Sequence, residues 1–455
     1  MLRHMPRLRS LTGAPDRPTA HIAHLDPVFP AVTCSVQASL LTGLPPSRHG
    51  IVGNGWYFRD LGEVLLWRQH NRLVHGEKVW QTARRRYPGY RVANICWWYA
   101  MGADTDITVT PRPVYHADGR KSPDCYTTPP GLHDELTQAL GPFPLFDYWG
   151  PRASLASTKW IVNATAHVMR TADPDLTLAY LPHLDYDLQR HGPDGHQAVT
   201  AATALDDAVA PLLRLARERG TTVVALSEYG ITAVDRPVHI NRALREAGLL
   251  AVYTQAGMEY LDPWTSRAFA VADHQAAHLY VRDPADFARV RELVAALPGV
   301  ERVLDAAGKA AYGIDHSRAG ELVAIAEPTA WFTYYYWLDD PRAPDFARCV
   351  DIHRKPGYDP VELFLDPGDR LVRLRAASAL ARRRLGLRST LSVVSLNADC
   401  VRGSHGRLPD HPDDSPVLLC SDADRLPDPR ARYHATEVAG LLLGLMDRIQ
   451  FSTRA

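Results

Sequence analysis

Leu176-Thr177-Leu178-Ala179-Tyr180 runs straight into Leu181-Pro182-His183-Leu184-Asp185, and Thr222-Val223-Val224-Ala225-Leu226 into Ser227-Glu228-Tyr229-Gly230. Each is a short apolar run that stops at polar residues, the pattern of a strand in an α/β sheet. Ala93–Trp98, His278–Val281 and Glu321–Ala326 are further strand candidates. Apolar residues recur at every third and fourth position over Ser154–Arg170, Ala198–Glu218, Asn241–Ala247, Pro284–Leu297 and Thr436–Arg448, which predicts helices. This alternation predicts an α/β fold with a mostly parallel sheet and helices on both faces. Such sheets take ligands just past the carboxyl ends of their strands.

The 455 residues carry 51 basic and 51 acidic side chains, for a net charge of zero. No global field therefore draws the chain to nucleic acid or to an anionic membrane. No run approaches the roughly 20 apolar residues of a membrane span. Met1–Ser10 is Arg-rich and lacks the apolar stretch of a secretion signal. Cys34, Cys96, Cys125, Cys349, Cys400 and Cys420 are scattered with no C-x-x-C pair, against a disulfide framework or a thiolate zinc site. The expectation is a cytoplasmic enzyme with no nucleic-acid or membrane partner, built as one domain over 1–455. Residues 57–152, rich in Trp, Tyr and Pro, read as a cap or insertion over the sheet. Trp331–Trp337 is too aromatic to lie in solvent and reads as a core strand.

Three polar clusters stand at the expected strand ends. Phe29-Pro30-Ala31-Val32-Thr33-Cys34-Ser35 leads into an apolar helical stretch, so Thr33 is either a helix cap or a hydroxyl activated at a helix N-terminus. His183–Asp194 holds Asp185, Asp187 and His191, carboxylates and an imidazole that suit a divalent ion or a solvated loop. Gly403-Ser404-His405-Gly406 offers a glycine-flanked His, a turn residue or a ligand. His239, His274 and His278 are single histidines on apolar segments and read as buried and hydrogen-bonded. His353–Asp359 is a basic turn expected to face water.

The order of these clusters resembles a known family. Phe29-Pro30-x-x-Thr33, then Thr42-Gly43-Leu44-Pro45-Pro46-Ser47-Arg48-His49-Gly50-Ile51 and Asn54, is similar to the nucleophile region of type I phosphodiesterases and nucleotide pyrophosphatases, in the alkaline phosphatase superfamily. Asp185, Ser227-Glu228-Tyr229-Gly230 and Gly403-Ser404-His405-Gly406 follow in that family's order, over most of the chain. The resemblance implies an alkaline-phosphatase-like fold and a small phosphorylated substrate. It also implies a Thr33 phosphoryl-enzyme, Asn54 bonded to a phosphoryl oxygen, and metal ions at Asp185, Gln189, Glu228 and His405.

The family pattern is altered here. Gln189 and Tyr229 stand where the family has His, and Glu228 where it has Asp. Fewer imidazoles and more oxygens shift preference from Zn toward Mn or Mg, with one ion or two. Two readings stay open: a metal-dependent phosphoesterase acting on a monoester or diester, and a catalytically silent binding protein with a vestigial anion pocket. Pro6–Leu11 resembles the helix that follows the family's first strand, and Val28–Val32 reads as the next strand. A missing first strand is therefore expected, with an unpaired edge beside the strand that leads to Thr33.

Overall fold

The computed structural model of the chain describes residues 1–11, 21–117, 121–365, 368, 370–387 and 389–452. Two four-stranded half-sheets carry the clusters. In one the order is Val224–Leu226, Val417–Cys420, His21–Asp26, Arg432–His434. In the other it is Cys125–Thr128, Ile107–Pro111, Val92–Ile95, Leu176–Ala179. Val92–Ile95 pairs parallel with both of its neighbours, and His21–Asp26 pairs parallel with Arg432–His434. Val417–Cys420 runs antiparallel to the strands on either side of it.

Helices cover these sheets. His196–Glu218 buries Ala198, Ala201, Ala202, Leu205, Ala208 and Val209 at helical spacing, and the small alanines let it pack against Leu155–Ala172. Thr33–Thr42 is buried from Thr33 through Leu41. Its Cys, Ser and Ala side chains allow close approach on every face, including that of Val438–Ser452.

A third sheet, Ala268–Asp273, Ala276–Val281, Leu322–Ala326, Val300–Leu304, is wholly antiparallel. Two of the strands read from the sequence, His278–Val281 and Glu321–Ala326, fall here. Every residue of Ala268–Asp273 and Ala276–Val281 is buried, so their apolar runs look the same as those of a parallel sheet. Trp331–Trp337 lies in the core beside it. Only Ala330–Phe332 is strand, yet all six aromatic rings of the run are buried.

Four expectations need correction. The strand before Thr33 is His21–Asp26, and 27–32 is irregular. That strand is paired on both sides; among the described residues the edge strands of these two sheets are Val224–Leu226, Arg432–His434, Cys125–Thr128 and Leu176–Ala179. Residues 57–152 do not form a layer over the sheet, because they supply Val92–Ile95, Ile107–Pro111 and Cys125–Thr128 to the second half-sheet. The basic turn does not face water: Lys355 is 1% exposed, with Nζ 2.7 Å from carboxylate oxygens of both Asp359 and Glu362. A helix at Pro6–Ser10 is present.

Candidate active site

Thr33 is the first residue of its helix, behind an extended Val32, and its side chain makes no capping bond. Its hydroxyl lies 3.0 Å from that of Tyr229. The capping alternative is thereby removed, and the hydroxyl sits at the positive end of the helix dipole. Tyr229 donates to Asp185 Oδ1 (3.2 Å), Gln189 Nε2 donates to Asp185 Oδ2 (3.1 Å), and Tyr358 donates to Gln189 Oε1 (2.9 Å). Asp185 and Gln189 share a face because His183–His191 is a helix and they stand four apart. Asp187 does not join them; it pairs with Arg190 at 3.2 Å.

The rings behind these hydroxyls form a column. Tyr229 stacks on His405 (centroids 3.6 Å apart, planes at 6°), His405 meets His274 at 3.7 Å, and His274 stacks on Tyr358 at 3.6 Å. Backbone bonds stitch the contributing loops together: Ala31 N–H to Gly406 O and Gln275 N–H to His405 O, both 2.9 Å. Thr232–Ala233 pairs with Gly403–Ser404, which brings the late His to the Glu228 loop. Gly406 has φ +120°, and a Cβ there would meet Gln275 N at 2.9 Å, so only glycine fits.

Asn54 is fixed by three bonds. Its Oδ1 accepts from Cys34 N–H (3.0 Å), while its own N–H and Nδ2 donate to the Asp273 carboxylate (2.7 and 3.1 Å). The second Nδ2 hydrogen remains to meet a ligand oxygen. Glu228 accepts from Gln37 Nε2, whose Oε1 is held by Trp98 N–H at 2.8 Å.

The site is short of positive charge. Burial raises the Asp185 carboxyl to about 7, against hydrogen bonds from Tyr229 and Gln189 that pull it back. Burial raises Glu228 to about 8, with the Asp185 charge adding to it and the Gln37 bond opposing. Neither has a Lys or Arg ion-pair partner among the described residues. Burial pushes the Tyr229 phenol well above its usual range and both His274 and His405 well below theirs.

Thr33, Asn54, Asp185, Gln189, Glu228 and His405 are therefore joined through one network. Sequence reasoning missed Tyr358, Gln37, Asp273 and His274; no spacing rule marks residues recruited from unrelated loops. The sequence predicts His274 as a satisfied core histidine, and its Nδ1 does meet Asp273 Oδ1 at 2.7 Å. Its Nε2, however, has no hydrogen-bond partner among the described residues, and neither has the Nε2 of His405.

Two half-buried carboxyls without counter-charge and two buried imidazole nitrogens have the chemistry of cation ligands, but among the described residues no three of them bring ligand atoms within 4.8 Å of one another, so a cation would have to draw them together. Asp185, Glu228 and His405 would hold it, with Gln189 supplying an amide oxygen. Among the described residues, the one trio of His, Cys, Asp and Glu with ligand atoms within 4.8 Å is Asp124, Cys125 and His133. There His133 Nε2 already bonds Asp124 at 2.8 Å. A cavity of about 410 Å³ lined by Pro237, His239, Arg242 and Asn397 touches none of the site residues. Chemistry, not void size, places the site.

The sequence pattern of the type I phosphodiesterase / nucleotide pyrophosphatase family matches residues 1–359. The chain belongs to that family. Phosphonoacetate hydrolase from Sinorhizobium meliloti 1021, solved with phosphonoformate, shares the fold at TM-score 0.58 and 16% identity, over 98% of this chain and 91% of that one. Murine ectonucleotide pyrophosphatase/phosphodiesterase 5, as an inactive variant with AMP, gives 0.56 and 13% over 97% and 90%. The human counterpart gives the same values. The alkaline-phosphatase-like α/β fold is thus shared, and at the family level this type I phosphodiesterase relative is a phosphoric ester hydrolase. No helix among its described residues is long and apolar enough to cross a membrane.

Proposed function

We propose that the protein hydrolyses a small phosphomonoester or phosphodiester through a phosphoryl-enzyme on Thr33, with one divalent cation. The observation that carries this reading is the uncapped, buried Thr33 hydroxyl, 3.0 Å from Tyr229 at a helix N-terminus. With Tyr229 donating to Asp185, the hydrogen between the two hydroxyls comes from Thr33. The proton has a path along these bonds: Thr33 gives its proton to Tyr229, Tyr229 passes its own to Asp185, and Asp185 ends as the acid. Thr33 Oγ1 then bonds phosphorus as the leaving oxygen departs, and water later releases phosphate from Thr33.

Asn54, locked by Cys34 and Asp273, would point its remaining amide hydrogen at a phosphoryl oxygen. A cation bound by Asp185, Glu228 and His405 would neutralise the two carboxyls and stabilise developing negative charge. With oxygen donors in the majority, Mn²⁺ or Mg²⁺ suits the set at least as well as Zn²⁺. Turnover of p-nitrophenyl phosphate and bis-p-nitrophenyl phosphate across these metals tests the reading. Activity that survives intact in Thr33→Ala would refute the covalent route.

A further inference from the structure

The helix Val372–Arg384 takes no part in the proposed reaction and lies beyond residues 1–359, the part that the family pattern matches. Val372 is buried and Ala376 and Ala379 are half-buried, so this side of the helix faces the body of the protein. Val372 belongs to the same core as Trp337 and Val361, which anchors the helix at its first turn.

The opposite side is apolar and exposed. Leu371, Leu374, Ser378, Ala381 and Leu385 recur at three and four. Helical bonds from Arg375 N–H to Leu371 O (2.9 Å) and from Leu385 N–H to Ala381 O (3.1 Å) carry that spacing past both ends. Leu374 is 66% exposed and Leu385 77%, with Leu380 and Leu387 also in solvent. Helical geometry sets Arg375 and Arg382 along one border of the stripe and Arg373 along the other, all exposed. In a chain of zero net charge, the stretch 370–398 carries seven Arg and no Asp or Glu.

Leucines gathered in solvent at one place mark a surface that something covers. Charge decides what. A second copy of the helix would set Arg against Arg. Duplex nucleic acid would engage the Arg side chains but offer the leucine stripe no apolar bed. A bilayer rich in anionic lipid meets both needs, with headgroup phosphates and carboxylates for Arg and the acyl boundary for Leu. We infer that the outer face of Val372–Arg384, with Leu371 and Leu385, docks the protein on an anionic lipid surface, the helix lying in the plane of the membrane. Zero net charge does not oppose this, because headgroup attraction fades within a Debye length and the Arg cluster is what comes that close. The inference stands apart from the chemistry of the Thr33 site.

The test is co-sedimentation of the intact chain with extruded vesicles at about 100 mM salt. Vesicles of phosphatidylcholine and phosphatidylserine, mixed at roughly 7:3, should carry the protein down, and pure phosphatidylcholine should bind at least about 30-fold more weakly. Arg370→Gln/Arg373→Gln/Arg382→Gln should weaken binding to the mixed vesicles about 100-fold, roughly fivefold for each charge. Leu374→Asn/Leu385→Asn should weaken it at least about 10-fold. All of these side chains are exposed, so both variants should melt with the wild type. Wild type that ignores the mixed vesicles would overturn the inference, and a dimer that the Leu variant splits would then give the stripe to a second copy. Vesicle binding unchanged in the folded Leu variant would overturn it too. So would tighter binding to a short DNA duplex than to the vesicles, lost in the Arg variant but kept in the Leu variant. None of these outcomes bears on the hydrolase reading, which ester turnover tests by itself.

Discussion

The Thr33 hydroxyl faces the Tyr229 hydroxyl at 3.0 Å. The nucleophile is thus oriented by a phenol that burial keeps protonated. Tyr229→Phe removes this link without removing the ring stacked on His405. We expect kcat to fall about 100-fold with KM nearly unchanged. A fall in substrate affinity alone would assign Tyr229 to binding.

Thr33→Ser keeps an attacking hydroxyl and should retain measurable turnover, whereas Thr33→Ala should lose at least about 1,000-fold with its melting temperature preserved. Acid quenching during turnover of a ³²P-labelled ester should leave label on the Thr33 peptide. Label recovered elsewhere would name another nucleophile.

Chelation should stop turnover, and Mn²⁺ or Mg²⁺ should restore it at least as well as Zn²⁺. Tightly bound paired zinc in the purified protein, found by elemental analysis, would contradict the oxygen-rich donor set.

Asp185 and Glu228 give the metal-free protein a distinctive pH dependence. Their folded values, about 7 and about 8, stand above the ordinary 3.8 and 4.5, so the folded chain binds the extra protons. Stability from this pair is full below those lower values and is lost as pH rises through 7 and 8. The buried histidines act oppositely but finish near their ordinary 6.5. Between pH 6.5 and about 8.5 in chelator, melting temperature should therefore fall, by at least about 2 °C. Glu228→Gln should flatten that fall, and saturating Mn²⁺ should abolish it. A rising curve in chelator would refute the assignment.

Lys355 tethers the Tyr358 turn. Replacing it with Met would leave Asp359 and Glu362 buried without their cation, a loss of about 3–5 kcal/mol in urea unfolding. A loss below about 1 kcal/mol would show that water reaches those carboxyls.

Much of the fold was legible in the chain. Leu176–Ala179 and Val224–Leu226 stood out because a short apolar run that stops at polar residues marks a strand reaching the rim of its sheet, although both prove to be half-buried edge strands. Thr33 and Asn54 stood out by the length of the motif around them. The direction of neighbouring strands was not legible, since Ala276–Val281 is buried on both faces whichever way its partners run. Nor was the place of His274, which is set by a stacking partner 131 positions away in the chain. Lys355 misled for a related reason: a charged turn is buried only when distant carboxylates await it.

Two of the four edge strands have a dynamic consequence. Leu176–Ala179 carries Asp185 at its end and Val224–Leu226 carries Tyr229, and the 3.2 Å bond between those side chains ties one half-sheet to the other. Amide hydrogens along both edges should exchange with solvent deuterium well before those of His21–Asp26, which is flanked on both sides. Separate opening of the half carrying Asp185 and the half carrying Thr33 and Tyr229 is the expected outcome. Whatever ligand draws Asp185 and Glu228 together should slow exchange along both edges at once, reporting occupancy from a place no ligand touches.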